Sequence, residues 1–526
     1  MLEGTEMTHG EDGVTDSKGT LLPTLSKSAS KMKIERLINT PLPTFSGKTP
    51  GSPFWTNVAY LLLRGTIGSQ FKTFEVSGRD NIPTDRGSLC CAWHTNGLLD
   101  PSVIMVSHPR HIVIGGRHDL VTRPILGFWG RKLAVQPVVR QSELLRGGCS
   151  SELAAEINGR SLLKLSTGIA AGFGCFLFPE GTSHNESHLL RLKTGPMRTV
   201  LSAVALAKGQ NKPQPVLLPV GLHWRIKHHW RTDAWVEFGE PIIVDENGLT
   251  DEMSEKMAGG EWVEPPREIV NELRDEVREK MAPLTPDAPD WETNRGWHLL
   301  GHLKARKNQK EIKSWKEEVL AAREIRDNLK NNPQENLLNI AIEAAQILET
   351  HRLDGRSLNA KGRIRNAPVG GKILNIIFVI FAMIVIPISI ITGGIQAAVG
   401  KKLGDINIKN EGLDARTSYQ FLASLFGSFF FWPPMAITAA ILLNLFAVPY
   451  FTYWFELFPQ TPIGHFFSIF LAMIWLIPIF WLSVQITING WDSLQNILKS
   501  KRERNLKKSQ TGQHFASLCK EILSEL

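Results

Sequence analysis

The sequence predicts an α/β fold, a mainly parallel sheet covered by helices, followed by a charged helical region and a C-terminal helical membrane domain. Three observations carry this expectation. Between residues 70 and 240, short apolar runs of strand length alternate with helix-length patterns, the rhythm of a parallel sheet with crossover helices. Residues 291–366 then carry dense charge of both signs, the pattern of solvated helix faces. Beyond residue 372, three apolar stretches free of Asp, Glu, Lys and Arg reach the roughly twenty residues that a spanning helix needs.

At 526 residues the chain has room for a sizeable core, and its net charge of +8 suggests an anionic partner. Nucleic acid, anionic lipid and phosphorylated small molecules all satisfy that charge. The five cysteines show no metal-type spacing, and Cys90 and Cys91 are adjacent within a strand pattern. That usage suggests reduced thiols rather than a disulfide framework. The polar N-terminus shows no signal-peptide pattern.

In chain order, residues 1–50 are rich in Ser, Thr, Gly, Pro and Lys with little apolar periodicity, which predicts a disordered tail. Phe54, Trp55, Val58, Leu61 and Leu62 share one helical face, which fits either a packed or an interfacial helix. Strands are expected at 71–76, 89–93, 112–114, 133–139, 175–178, 215–220 and 235–238, with helices at 123–132, 151–171 and 200–207. Pro265-Pro266 opens a further helix, and the α/β unit covers residues 51–285. The charged helices occupy 286–371, the membrane domain 372–490, and a basic tail 491–526.

The chemistry concentrates at the expected strand ends. The run from Leu89 to Trp93 stops at His94, and Asp100 follows six residues on. Clefts in α/β folds open at the carboxyl ends of strands. A carboxylate there can fix one imidazole nitrogen and leave the other to accept a proton from a nucleophile. Glu180 and Gly181 lie directly after the expected strand at 175–178, in Phe178-Pro179-Glu180-Gly181-Thr182, and an ionised carboxylate so placed needs a partner. Arg140 ends Pro137-Val138-Val139-Arg140, Lys193 sits in Leu192-Lys193-Thr194-Gly195, and Pro219-Val220-Gly221 closes the set. His184, His188, His228 and His229 lack carboxylate or cysteine partners at metal-ligand spacing, so no metal site is expected.

The order Val-x-Gly-x-Asp-Asn-Ile-Pro (from Val76), His94…Asp100, Pro-Val-x-Arg, Phe-Pro-Glu-Gly and Pro-Val-Gly resembles the glycerolipid acyltransferase superfamily of the PlsC type, over residues 70–285. A narrower likeness, carried by the charged helices and the C-terminal apolar segments, is to the fungal-type glycerol-3-phosphate/dihydroxyacetone-phosphate acyltransferases. Two departures stand out. Five residues separate His94 from Asp100, where most of the superfamily has four, and Ser183 stands where an arginine often follows the threonine. Phosphate binding would therefore lean on Arg140, Lys193 and Arg117.

The resemblance implies acyl transfer from acyl-CoA, a co-substrate and not a cofactor, to the sn-1 hydroxyl of glycerol-3-phosphate or dihydroxyacetone phosphate. His94 would be the general base and Asp100 its orienting partner. Arg140 and Lys193 would meet the phosphate, and Glu180 the acceptor hydroxyls. The partners would be acyl-CoA, a phosphorylated glycerol acceptor and the bilayer, with no nucleic acid. A lysophosphatidate acyltransferase is the alternative enzyme, and a silent membrane scaffold the alternative of another class.

The apolar stretches at 373–400, 419–448 and 463–488 pose a topological problem. Lys361, Arg363, Arg365 and Lys372 precede the first, Lys401 and Lys402 follow it, and Lys499, Lys501, Arg502 and Arg504 follow the third. If all three basic clusters are cytoplasmic, the second and third stretches form a hairpin around the loop at 449–462. The first would then enter and leave by one face, bending at Pro387 and Gly393-Gly394. The catalytic residues would lie on the cytoplasmic side, of the endoplasmic reticulum in a eukaryote or the cell membrane in a prokaryote.

Overall fold

The computed structural model describes residues 8–10, 13–15, 32–140, 143, 149–366, 369–411, 416–446, 457–458 and 461–526. The loop expected at 449–462 therefore lies largely outside the described residues. The chain divides into two compact units. The first comprises Met1–Ile67, Thr73–Asp290 and Asn407–Thr417, and the second Gly68–Lys72, Trp291–Ile406 and Ser418–Leu526.

Apart from a small antiparallel hairpin of β1 (Thr8–Gly10) and β2 (Gly13–Thr15), the strands form one sheet. They are β3 (Phe71–Ser77), β4 (Ser88–Ala92), β5 (Ile112–Arg117), β6 (Gln136–Val138), β7 (Gly174–Leu177), β8 (Val216–Trp224), β9 (Thr232–Phe238) and β10 (Ile242–Ile243). The order is β3-β9-β8-β4-β7-β5-β6, with β10 on β8. Strands β8, β4, β7, β5 and β6 are parallel neighbours, whereas β9 and β10 run antiparallel to β8. The expected α/β architecture is present, and the parallel strands put their carboxyl ends on one edge. Strand β4 is buried at every residue, which is why its sequence reads as a continuous apolar run and does not alternate. Helices Ser151–Ala170 and Gly195–Gly209 flank the sheet through Leu163, Leu165, Ile169, Val200, Leu201 and Val204, all almost fully buried.

Several expectations are corrected. Residues 32–50 are not a free tail. Helix Ile34–Ile38 buries Leu37 completely against Val121, Val135, Val139, Ala154 and Ile157. Arg160 holds the following backbone by donating to Leu37, Ile38 and Thr40 carbonyls. One buried leucine anchors a segment whose composition otherwise reads as disordered. The strand expected at 133–139 shrinks to Gln136–Val138, because Ala134 turns through φ +55°. Helix Asp251–Ala258, capped by the Thr250 side chain, had no counterpart in the pattern reading. The helix that remained open between two environments, Pro53–Gln70, packs Tyr60, Leu63 and Ile67 inward while Phe54 and Leu61 stay exposed.

In the second unit the charged region is a packed set of amphipathic helices, Trp291–Lys307, Trp315–Asn331 and Glu335–Thr350. Each keeps charge on its outer face and buries a stripe such as Leu299, Leu300 and Leu303, or Leu337, Ala341, Ala344 and Leu348. The expected basic tail is ordered too: the third apolar helix runs unbroken from Pro462 to Lys508, and helix Gln510–Glu525 buries Phe515, Leu518 and Ile522.

Among the described residues, three helices, Gly371–Asn407, Arg416–Leu445 and Pro462–Lys508, are long and apolar enough to cross a membrane. The first does not reverse on itself. Where a bend was expected, a single π-helical turn at Ile390–Gly394 continues the helix. The Thr392 carbonyl in that turn is satisfied by Trp432 Nε1 at 2.8 Å and Gln396 Nε2 at 3.0 Å. Such internal donors make irregular backbone tolerable at membrane depth, so neither Pro387 nor the glycine pair breaks the helix.

Candidate active site

Strand β4 ends at Ala92, and the chain turns through Trp93, His94, Thr95, Asn96 and Gly97 into helix Leu99–Ser107. Gly97 adopts φ +47°, a left-handed conformation that favours glycine. Asp100 thus stands in the first turn of the helix rather than in a loop, and is fully buried. Its Oδ2 accepts from His94 Nδ1 and from the Thr95 and Asn96 backbone N–H groups, each at 2.8 Å. One carboxylate oxygen therefore fixes both the imidazole and the turn that carries it.

Phe178 stacks on the His94 ring, with centroids 3.9 Å apart and planes 16° from parallel. Held by Asp100 and by this stack, His94 keeps 17% of its side chain exposed. With Nδ1–H donated to a carboxylate, Nε2 is the nitrogen that can accept a proton.

Glu180 is buried, and its carboxylate is committed to the protein. Oε2 accepts from the His94 backbone N–H at 2.9 Å. Oε1 accepts from Leu190 N at 2.9 Å and meets His184 Nε2 at 2.8 Å. The strand-end glutamate thus ties the loop after β7 to the loop after β4, a geometric role that differs from contact with acceptor hydroxyls. Gly181, at φ +74°, permits this loop to turn, and a Cβ there would lie 3.4 Å from Lys193 Cγ. Lys193 is exposed beside it, and among the described residues its ammonium has no ion-pair partner.

The two arginines expected at the phosphate are drawn to buried acids. Arg117 pairs with Asp119 at 2.5 and 2.8 Å, and Arg123 meets the same carboxylate at 2.7 Å. Burial pushes the Asp119 pKa up, but the two guanidiniums outweigh it and hold the carboxyl below its usual value. Two cations on one acid leave net positive charge at the end of β5. Arg140 meets Glu143 through Nε at 2.7 Å and Nη2 at 2.6 Å, which neutralises it. By register, β6 stands three strands from β4, about 14 Å at the usual spacing.

Pattern reading missed four contributors. Asn96 accepts from the Thr417 hydroxyl at 2.5 Å and donates to the Lys227 carbonyl at 3.1 Å. Lys227 in turn donates to the His184 carbonyl at 3.1 Å. His184 reads in sequence as an unpartnered loop histidine, yet it is the side-chain donor to Glu180. Among the described residues, no cluster of three or more His, Cys, Asp or Glu side chains is arranged to hold a metal ion.

Residues 73–223 match the Acyltransferase family model. Two relatives from Saccharomyces cerevisiae are similar to part of this chain. Glycerol-3-phosphate O-acyltransferase 2 is 32% identical over 29% of this chain and 19% of its own length. Glycerol-3-phosphate O-acyltransferase 1 is 30% identical over 22% of this chain and 14% of its own. The chain thus spans a fifth or less of these relatives. Among solved structures, the 1-acyl-sn-glycerophosphate (LPA) acyltransferase PlsC from Thermotoga maritima is 18% identical, covering 43% of this chain and 78% of that one, with a TM-score of 0.28.

Proposed function

We propose, from the acyltransferase domain that residues 73–223 carry, that this is a membrane-bound enzyme acylating glycerol-3-phosphate at its sn-1 hydroxyl. Acyl-CoA is the proposed donor, and dihydroxyacetone phosphate a second acceptor of the same chemistry. The observation that carries the reading is the His94–Asp100 pair at the carboxyl end of β4, inside the matched span.

In the proposed step, His94 Nε2 takes the acceptor hydroxyl proton while Asp100 stabilises the resulting imidazolium. The acceptor oxygen bonds to the thioester carbonyl carbon, the carbon–sulfur bond breaks, and His94 returns its proton to the leaving thiolate. No covalent acyl-enzyme is needed. Glu180 keeps the His94 and Gly181 loops in register. Lys193, with the net positive charge of the Arg117/Arg123/Asp119 group, attracts the acceptor phosphate, and Arg140 supports that edge through Glu143. The three apolar helices hold the enzyme in the membrane, with the catalytic residues on the cytoplasmic side.

Purified protein offered one acyl-CoA with glycerol-3-phosphate, dihydroxyacetone phosphate or 1-acylglycerol-3-phosphate tests this. Acylation of glycerol-3-phosphate as the fastest reaction is the expected result. Preference for the lysophospholipid would make the protein a lysophosphatidate acyltransferase instead, and no turnover with any acceptor would make it a scaffold.

A further inference from the structure

Asn96 lies in the turn between the proposed base and its aspartate, and only 1% of it is exposed. Its polar groups are engaged by four contacts. The backbone N–H donates to Asp100 Oδ2 at 2.8 Å, and the backbone carbonyl accepts from Leu99 N at 3.0 Å. The side-chain Nδ2 donates to the Lys227 carbonyl at 3.1 Å, and Oδ1 accepts from Thr417 Oγ1 at 2.5 Å. The Asp100 oxygen that receives Asn96 N also receives His94 Nδ1.

Thr417 is 321 residues away in sequence and lies outside the matched span. It is the second residue of helix Arg416–Leu445, it is fully buried, and it belongs to the same compact unit as the sheet. Its neighbour Arg416 is one of the charges that, after burial and His229, hold the His228 pKa below its usual value. His228 follows Lys227, so Arg416 lies near the loop after β8 while Thr417 meets the turn after β4.

We propose that Thr417 is a positioning residue for the His94–Asp100 pair, acting through Asn96, so that the catalytic turn is completed by the start of the second apolar helix. The proposal rests on the acyltransferase reading above. The Lys227 carbonyl can only accept, and the Thr417 hydroxyl supplies the donor that Asn96 Oδ1 requires. Together they fix which way the buried amide points. The amide fixes residue 96, whose N–H helps aim the Asp100 oxygen at the imidazole. Loss of the hydroxyl frees the turn without touching a substrate.

Steady-state kinetics of the full-length protein with both substrates varied test the proposal. Thr417→Val keeps the shape of the side chain and removes the hydroxyl. It should lower kcat about tenfold with both KM values unchanged, as small misplacements of a catalytic group do. Thr417→Ser restores the donor and should recover kcat to within about twofold. In an Asp100→Asn background Thr417→Val should add little, because the two changes act on one unit. Should Thr417→Val fail to fold, Thr417→Cys, of similar size with only a weak donor, should show the same selective loss of kcat. Wild-type kcat in whichever of these two variants folds would overturn the proposal. So would equal losses in the Val and Ser variants, or full additivity with Asp100→Asn. An inactive wild type would instead overturn the acyltransferase reading, so the two failures are distinguishable.

Discussion

The Nδ1 atom of His94 lies 2.8 Å from Asp100 Oδ2, and that single oxygen also receives the N–H groups of Thr95 and Asn96. Imidazole orientation and turn conformation therefore share one acceptor. Asp100→Asn should lower kcat by about 10²–10⁴-fold, because an amide cannot stabilise the imidazolium. It should leave the acceptor KM close to wild type. A large rise in KM with kcat intact would assign Asp100 to binding instead.

Glu180 is expected to behave as a buried structural carboxylate. Glu180→Gln keeps the size but replaces one acceptor oxygen with a donor, which faces either His94 N–H or the Leu190 and His184 donors. Each charged hydrogen bond lost costs about 1.5–3 kcal/mol, so thermal stability and kcat should fall together. If the variant melts like the wild type and only the acceptor KM rises, Glu180 contacts the acceptor.

Lys193 and Arg140 should separate cleanly. Lys193→Ala removes an exposed cation without an ion-pair partner among the described residues, so it should raise the glycerol-3-phosphate KM about tenfold with an unchanged melting midpoint. Arg140→Ala strands Glu143, whose side chain is fully buried, and breaking such a pair typically costs about 3–5 kcal/mol. A stable Arg140→Ala protein with a raised acceptor KM would return Arg140 to the phosphate.

His108 gives the fold an acid-sensitive point. Its ring lies between Ser88 Oγ and the Arg110 backbone, both at 3.1 Å, and burial lowers its pKa to about 4. In the unfolded chain the ring protonates near pH 6.5. Between those values the unfolded state binds more protons, so stability is fully present above pH 6.5 and is lost as pH falls toward 4, by about 3 kcal/mol. Melting curves at pH 7 and pH 4.5 should show this loss, and His108→Gln should flatten it. An unchanged slope in the variant would place the sensitivity elsewhere.

The chain leaves the catalytic unit at Asp290 and is back in it at Asn407, with one candidate span, Gly371–Asn407, between. That helix is 37 residues long, about 55 Å. Both of its flanks are basic, Lys361, Arg363 and Arg365 before it, Lys401 and Lys402 near its end. An unbroken helix whose two flanks share one side does not cross the bilayer; it should lie along that face, with residues 361 and 402 on one side of the membrane and residue 460 on the other. Single cysteines at these positions in a Cys149→Ala background, the other four cysteines being buried, can be labelled in sealed vesicles with an impermeant reagent. Labelling of 361 and 402 from opposite sides would refute the arrangement.

Much of this was legible in the sequence because the information was local. His94 and Asp100 share one turn, so their pairing could be read from spacing. The five parallel strands announced themselves because buried parallel strands are short, apolar and spaced by helices. What escaped was carried by distant or composite contacts. No local pattern ties Asn96 to Thr417, 321 residues away. The commitments of Arg117 to Asp119 and Arg140 to Glu143 are visible as spacings, but only the burial of the two acids shows how firmly they hold the arginines. Leu37 ordered a stretch that composition assigned to disorder, and the donors from Trp432 and Gln396 kept the first apolar helix continuous where proline and glycine predicted a bend.

The central claim, that His94 is the base for acyl transfer, is tested most directly by His94→Ala in the purified full-length protein, following thiol release from acyl-CoA with saturating glycerol-3-phosphate. Loss of one well-placed base should lower kcat by about 10²–10⁴-fold, with a melting midpoint near that of the wild type. Turnover within about twofold of wild type in that variant would contradict the account.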